Sequence, residues 1–356
     1  MGLLDIFKSK WSAGKMTEGD RKKLFWYLKR KASHTAWKRE ADAFDSFAGV
    51  FEKQVREEPI AKAGPYSYED MNWEELYPEI LKCQVLYEKA LAQLKQGDRS
   101  VWLYNERGLM DDASTISGHW YTELVNHGQQ GDHFPDGKYV EEMTAAIKEY
   151  SLAARDTAGV LQPMMADTSA PYFWGESMEC ILNNELYPKE FDPAFFVTPH
   201  KLASYIQYPD PLPEVPVADS EILIPTGQNT PVFGIYEPQV KDGCMNYLLQ
   251  DVPAPFGRDL SGDNKRVTWK LIWEDTRYLD SEIPAEEHLY FPPEPNSAQV
   301  QQDAPVNDLL SAATGQPCPK EGRWSVMDDL QGTLELHQGE RMPKHNGRDV
   351  TWVWVE

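Results

Sequence analysis

Cysteine is scarce, and its spacing excludes a good deal. The four residues, Cys83, Cys180, Cys244 and Cys318, lie far apart with no C-x-x-C pair, which leaves a zinc ribbon or a thioredoxin-like site without support. A chain of 356 residues can bury a sizeable core without cross-links, so free buried thiols in a reducing compartment are expected. Long apolar runs are missing too: no stretch nears the roughly 18 apolar residues of a membrane span. The first residues, Met1 to Lys8, have neither a basic n-region nor a long apolar core, so no secretory signal is read there. Ile6 stands where a myristoylation motif beginning at Gly2 wants Ser or Thr. Signatures of chemistry are absent as well. There is no Gly-rich phosphate loop, nucleophile elbow or kinase motif, and no Ser, His and Asp spacing that suggests a triad. Neither catalysis nor a cofactor is expected.

Basic charge is the other shortage. Lys and Arg number 35 against 57 Asp and Glu, a net charge of −22. The imbalance is uneven: residues 1–60 carry 13 bases against 9 acids, and the remainder 22 against 48. A body this acidic repels nucleic-acid phosphates and anionic membranes, so neither is expected as a partner. It attracts cationic proteins and speeds their encounter. Solubility alone is the plainer explanation of the same charge.

What is present is helical pattern first, then strand pattern. Thr17 with Asp20 offers an N-cap before Leu24, Phe25 and Leu28. Trp37, Phe44, Phe47, Phe51 and Val55 keep helical spacing up to Pro59, and Leu76, Ile80, Cys83, Tyr87, Ala90 and Leu94 form an apolar stripe ended by Gly97. Asp111-Asp112 begin a helix through Ile116, Trp120 and Leu124. Met143, Ile147, Tyr150 and Ala154 mark another, and Met178, Ile181 and Leu182 a short one ending near Pro188. Short connections favour an antiparallel bundle over residues 1–208. Four prolines within 209–216 then rule out helix, making 209–220 a stiff linker.

Beyond the linker, strand-like runs at 222–224, 232–236, 246–249 and 267–274 make 221–290 a β-rich domain. Val267, Trp269, Leu271 and Trp273 alternate onto one face. Residues 291–314, rich in Pro, Gln and Asn, read as a loop. The remainder, 315–356, reads as a three-stranded module over 323–326, 334–337 and 350–355, too small to stand alone. In its last strand Val350, Trp352 and Trp354 face one way and Thr351, Val353 and Val355 the other. Val267-Thr268-Trp269 echoes that strand, although no solenoid repeat is present. The expected class is α+β: an N-terminal antiparallel helical bundle followed by a β-rich C-terminal region ending in a small β-meander.

Candidate chemistry is thin. His119, Glu123 and His127 share a helix face at i, i+4 and i+8, which suits metal ligation and a hydrolase. Without an H-E-x-x-H arrangement, polar residues on a helix surface account for them better. Asp111-Asp112 diverge on a helix and suit capping rather than acid–base work. Twelve tryptophans raise a cell-wall or carbohydrate-binding alternative through ring stacking, but their alternation along strands suits a core.

Resemblance adds a function. Gly315-Gln316-Pro317-Cys318-Pro319, Gly322-x-Trp324, Gly339-Glu340-x-Met342-Pro343 and Thr351-Trp352-x-Trp354 together resemble the C-terminal end of bacterial polymorphic-toxin immunity proteins, in pattern the families immunity protein 71 and immunity protein 72. Phe233-Gly234-Ile235-Tyr236-Glu237-Pro238, Gly243-Cys244-Met245-Asn246-Tyr247-Leu248 and the run from Trp269 to Tyr278 are similar to the same group. The resemblance covers residues 230–356. It implies a protein that binds a cognate toxin, typically encoded beside it as the C-terminal domain of a secreted polymorphic or type VI effector, and neutralises it stoichiometrically. With no export signal the expected compartment is the cytoplasm. A basic nuclease is the first expectation for the toxin, with an ADP-ribosyltransferase or deaminase equally compatible with that location. The expected contact surface is the acidic stretch after a core strand, Glu274, Asp275, Asp280, Glu282, Glu286 and Glu287, interspersed with Arg277, Tyr278, Ile283 and Pro284, a mixture of charge and apolar anchors that suits an interface.

Overall fold

Thr17 caps the first helix by a reciprocal pair of bonds. In the computed structural model its hydroxyl accepts the Asp20 N–H at 3.1 Å, while the Asp20 carboxylate accepts the Thr17 N–H at 3.0 Å, a capping box that contributes about 1 kcal/mol. The structure describes residues 17–62, 71–103, 108–130, 134–154, 156–157, 208–217, 221–241, 243–258, 264–291, 310–326 and 329–355. Among the described residues the layout is α+β, five helices followed by two antiparallel four-stranded sheets. The helices are α1 (Glu18–Lys31), α2 (His34–Glu57), α3 (Trp73–Leu94), α4 (Leu109–Gln130) and α5 (Val140–Ala154). α1 begins at the Thr17 cap, α3 at Asn72, whose side chain accepts the Glu75 N–H at 2.9 Å, and α4 and α5 with acidic first turns. The short helix expected near residues 178–188 lies outside the described residues. No described helix is long and apolar enough to cross a membrane.

The chain divides into two compact units, Met1–Ala36 with Thr157–Pro292, and Trp37–Asp156 with Pro293–Glu356. The first holds β1 (Leu223–Pro225), β2 (Gly234–Pro238), β3 (Asn246–Leu248), the two-residue pair β4 (Gly257–Arg258) and β5 (Asn264–Lys265), and β6 (Thr268–Glu274). Its sheet runs β1-β6-β2-β3. The second holds β7 (Ser311–Ala313), β8 (Gly322–Val326), β9 (Asp329–Leu336) and β10 (Thr351–Trp354), in the order β7-β10-β8-β9. Three strands were expected in the second sheet and four are present. The extra one, β7, is Ser-Ala-Ala, small residues whose weak strand preference leaves no pattern to read.

In the second unit α2 to α5 share an aromatic core. Phe51 meets Trp73 at 5.3 Å and Trp120 at 5.4 Å, both edge-on, a geometry that adds to simple burial. One buried polar cluster joins all four helices: the Tyr87 hydroxyl donates to Glu40 at 2.7 Å and lies 3.0 Å from Ser117 and 3.2 Å from Tyr150. Burial, and then the Glu40 charge, push both tyrosine pKa values well up. The alternation expected in β10 is present. Trp352 packs with Trp324, Val326, Ala312, Cys318 and Met342 on one face, while Val353 and Val355 pack on Leu81 and Val85 of α3 on the other.

In the first unit the alternation breaks once. A bulge at Ile272 lets Ile235 pair with Trp273 and Tyr236 with Leu271. A bulge changes which face the next side chain meets, so Trp273 leaves the face of Trp269 and meets Phe25 of α1 edge-on at 6.2 Å. Trp273 was expected beside Trp269; one extra residue in the ladder is the reason it is not. Gly234 marks the tightest approach nearby, since a Cβ there would lie 2.2 Å from the Trp273 carbonyl oxygen.

The two sheets are two copies of one module. Thr226, Gly227, Gln228, Pro231 and Gly234 recur in order as Thr314, Gly315, Gln316, Pro319 and Gly322, and Val267-Thr268-Trp269 recurs as Val350-Thr351-Trp352. Strand order is the same, and so is register: Tyr236 pairs with Leu271 and Asn246, and Trp324 with Trp354 and Leu334. The hydrogen bonds repeat atom for atom. Thr226 Oγ1 lies 3.1 Å from the carbonyls of both Pro255 and Val267 and accepts the Val267 N–H at 3.0 Å. Thr314 Oγ1 does the same with Pro343 and Val350, at 3.1, 3.1 and 2.9 Å. The Trp269 indole donates to Pro255 at 2.8 Å, and that of Trp352 to Pro343 at 2.9 Å. Gly227 and Gly315 turn the chain at the same point with φ of 90° and 83°, where a side chain would be strained.

Candidate functional site

The acidic stretch after β6 has two faces of opposite character. Asp275, Arg277, Tyr278 and Glu287 are buried. Asp275 accepts from Arg277 Nε at 2.9 Å and Nη2 at 2.8 Å, and from the Tyr247 hydroxyl at 2.7 Å. Arg277 also donates to the carbonyls of Lys29 at 3.0 Å and Ala32 at 2.8 Å, capping the C-terminus of α1 with positive charge. Burial works against that charge, but Asp275 and Tyr278 outweigh it and the Arg277 pKa is raised. Glu287 serves the opposite helix end: its carboxylate accepts the Thr35 N–H at 3.0 Å and hydroxyl at 2.7 Å at the start of α2, where an anion is favoured. Tyr278 joins the two, accepting the His34 N–H at 2.8 Å and donating to Glu287. Burial raises its pKa. Tyr278 holds this position at φ 68°, a backbone conformation that a bulky residue adopts only when its surroundings dictate it.

The other face points to solvent. Glu274, Asp280, Glu282 and Glu286 are exposed, and so are Leu279 (70%), Ile283 (39%) and Leu289 (44%). Three of the six exposed large hydrophobics among the described residues thus fall in this one loop. They share that segment with the four exposed carboxylates. Two of the exposed acids are also used locally: Asp280 accepts the Glu282 N–H at 3.0 Å, and Glu286 pairs with Lys29 at 2.6 Å. Of the eight residues singled out in the sequence, the structure therefore makes four an internal anchor and four an outward surface. The anchor escaped the sequence because its partners, Lys29, Ala32, His34 and Thr35, precede it by 244–252 residues.

The other candidates resolve into structure. Asp111 is buried in the first turn of α4, and burial, then Asp112, raise its pKa to about 6. His119 and Glu123 lie on α4, the side chain of His127 is outside the described residues, and no group of His, Cys, Asp or Glu among those described is placed to hold a metal. Trp37, Trp73, Trp102, Trp120, Trp269, Trp324 and Trp352 are fully buried. Trp354 is half-buried, with Lys320 Nζ 3.3 Å from its ring centre, so among the described residues no indole stands free as a sugar platform. Cys83, Cys244 and Cys318 are buried free thiols.

No curated protein and no solved structure matches the chain. A family model does, over residues 15–188, a span that precedes the C-terminal motifs that carry the resemblance in the sequence. The family implies a protein that counters a toxin. Over residues 15–188, just under half of its length, this chain is similar to the family immunity protein 71.

Proposed function

We propose that the chain binds a cognate toxin domain and blocks it stoichiometrically, without catalysis, in the cytoplasm of the cell that makes both. The observation that carries the contact surface is the outward face of the 274–289 loop. It sets Leu279, Ile283 and Leu289 among Glu274, Asp280, Glu282 and Glu286 on a backbone fixed by the buried Asp275, Arg277, Tyr278 and Glu287. Apolar anchors give such a surface affinity, and carboxylates around them select a basic partner and steer its approach. A nucleic-acid-cleaving domain, basic because it must hold phosphates, fits that description.

The test is growth rescue and binding kinetics with the toxin domain encoded beside this gene. Co-expression restores growth, and Glu274→Lys with Glu282→Lys, neither of which touches the buried anchor, slows association about tenfold at low salt and less at high salt. Leu279→Ala speeds dissociation instead. Failure to rescue growth would sink the immunity reading. Rescue with unchanged kinetics in both variants would place the contact elsewhere on the chain.

A further inference from the structure

The duplicated module exposes a difference between its copies, and the difference lies at one sheet edge. In the first copy the terminal strand β3 is three residues long and buried throughout, with neighbours 243–249 buried as well. Its edge is also chemically closed, because the Asn246 side chain accepts the N–H of Tyr247 at 2.9 Å. In the second copy the corresponding strand, β9, has eight residues, and among the described residues it pairs on one side only, with β8. Leu334 replaces Asn246 and Glu335 replaces Tyr247 at the same register positions, so the amide that Asn246 closes has no such cover. Thr333 and Glu335 are exposed.

The direction of the free groups follows from the ladder. Arg323 pairs with Glu335, yet its carbonyl accepts the Val355 N–H at 2.8 Å on the opposite side of β8. Arg323 and Glu335 are thus a non-hydrogen-bonded pair, and Glu335 turns its own N–H and C=O away from β8. Thr333, two residues earlier, does the same. An unpaired row of this kind is a template for another strand, and proteins usually blunt it with proline, lysine, a cover or brevity. β9 contains no Pro, Lys or Arg, only Asp329 and Glu335 as charges.

We propose that β9 is a docking edge that takes an extended, basic segment of the toxin domain as a fifth strand of the second sheet. The inference rests on the toxin-binding function proposed above. A basic strand complements the exposed Glu335. A second copy of this chain does not, since it sets its own Glu335 at that edge and carries a net charge of −22.

Hydrogen–deuterium exchange of the full chain, free and mixed with the toxin domain encoded beside its gene, reads the edge directly. Complex formation is expected to slow exchange at the amides of Thr333 and Glu335 by about tenfold or more. Thr333→Pro removes one outward N–H without touching the β8 ladder, which an edge strand tolerates. It is expected to leave the melting temperature unchanged and weaken binding by about tenfold, whereas Thr333→Val binds normally. A complex in which both amides exchange as fast as in the free chain overturns the docking edge and leaves the immunity function standing. Absence of any complex overturns both. Exchange decides the matter even where the proline variant is unstable.

Discussion

The first sheet and the second are built to the same plan and finished differently. Each closes its core with a tryptophan whose indole reaches a proline carbonyl, a threonine that ties three chain segments together, and a glycine turn at the same position. They part at the rim. The first sheet keeps β3 short and covered, whereas the second extends β9 to eight residues with exposed positions. What recurs is what the module needs in order to fold, and what differs is free to serve recognition.

Matched substitutions sharpen or break that comparison. The largest effect is expected at the shared tryptophans. Trp269→Ala and Trp352→Ala each remove a fully buried ring and its hydrogen bond, so each should cost about 3–5 kcal/mol in denaturant melts. A loss confined to one of them would mean the two modules are not equivalent in energy. Next come Thr226→Val and Thr314→Val, which keep the shape and delete the hydroxyl. Each leaves the N–H of Val267 or Val350 without its acceptor, and a loss of about 1–3 kcal/mol is expected. The smallest effect lies at the corresponding turn residues Asp251 (φ 61°) and Gly339 (φ 87°). Gly339→Ala should destabilise by about 1 kcal/mol, because a side chain enters the left-handed region. Asp251→Gly should change thermal stability by less than that, since relief of strain is offset by a looser unfolded chain. Equal and opposite shifts at the two sites would show that strain alone decides.

Much of this was legible in residue pattern. Thr17 and Asp20, the stripe from Leu76 to Leu94, and the two-sided alternation of β10 act locally, and local signals survive in sequence. The duplication was visible only as a trace, in Val267-Thr268-Trp269 and Val350-Thr351-Trp352. The rest of the module preserves hydrogen-bond roles rather than residue types: Tyr236 and Trp324 reach the equivalent carbonyls of Val232 and Lys320 with different chemistry, and Thr230 and Cys318 share only their backbone bonds. β7 had no pattern to show, and the bulge at Ile272 is a backbone event that periodicity cannot signal. The acidic loop was recognisable as a mixture of charge and apolar residues. Which charges turn inward was not, because Arg277 and Glu287 answer to the ends of α1 and α2 rather than to their neighbours in sequence.

That last arrangement has a consequence in entropy. Binding normally charges a loop for the freedom it gives up, about 0.5–1.5 kcal/mol for each side chain that is immobilised, with backbone ordering in addition. Around Leu279 the backbone part of that loss is already taken during folding. Tyr278 is held on one side by the His34 amide and on the other by Glu287, while Arg277 grips two carbonyls of α1. The outward carboxylates and leucines of the proposed contact surface therefore stand on a backbone with little disorder left to lose, and loosening the anchor with Tyr278→Phe is expected to weaken toxin binding from beneath without altering one exposed atom.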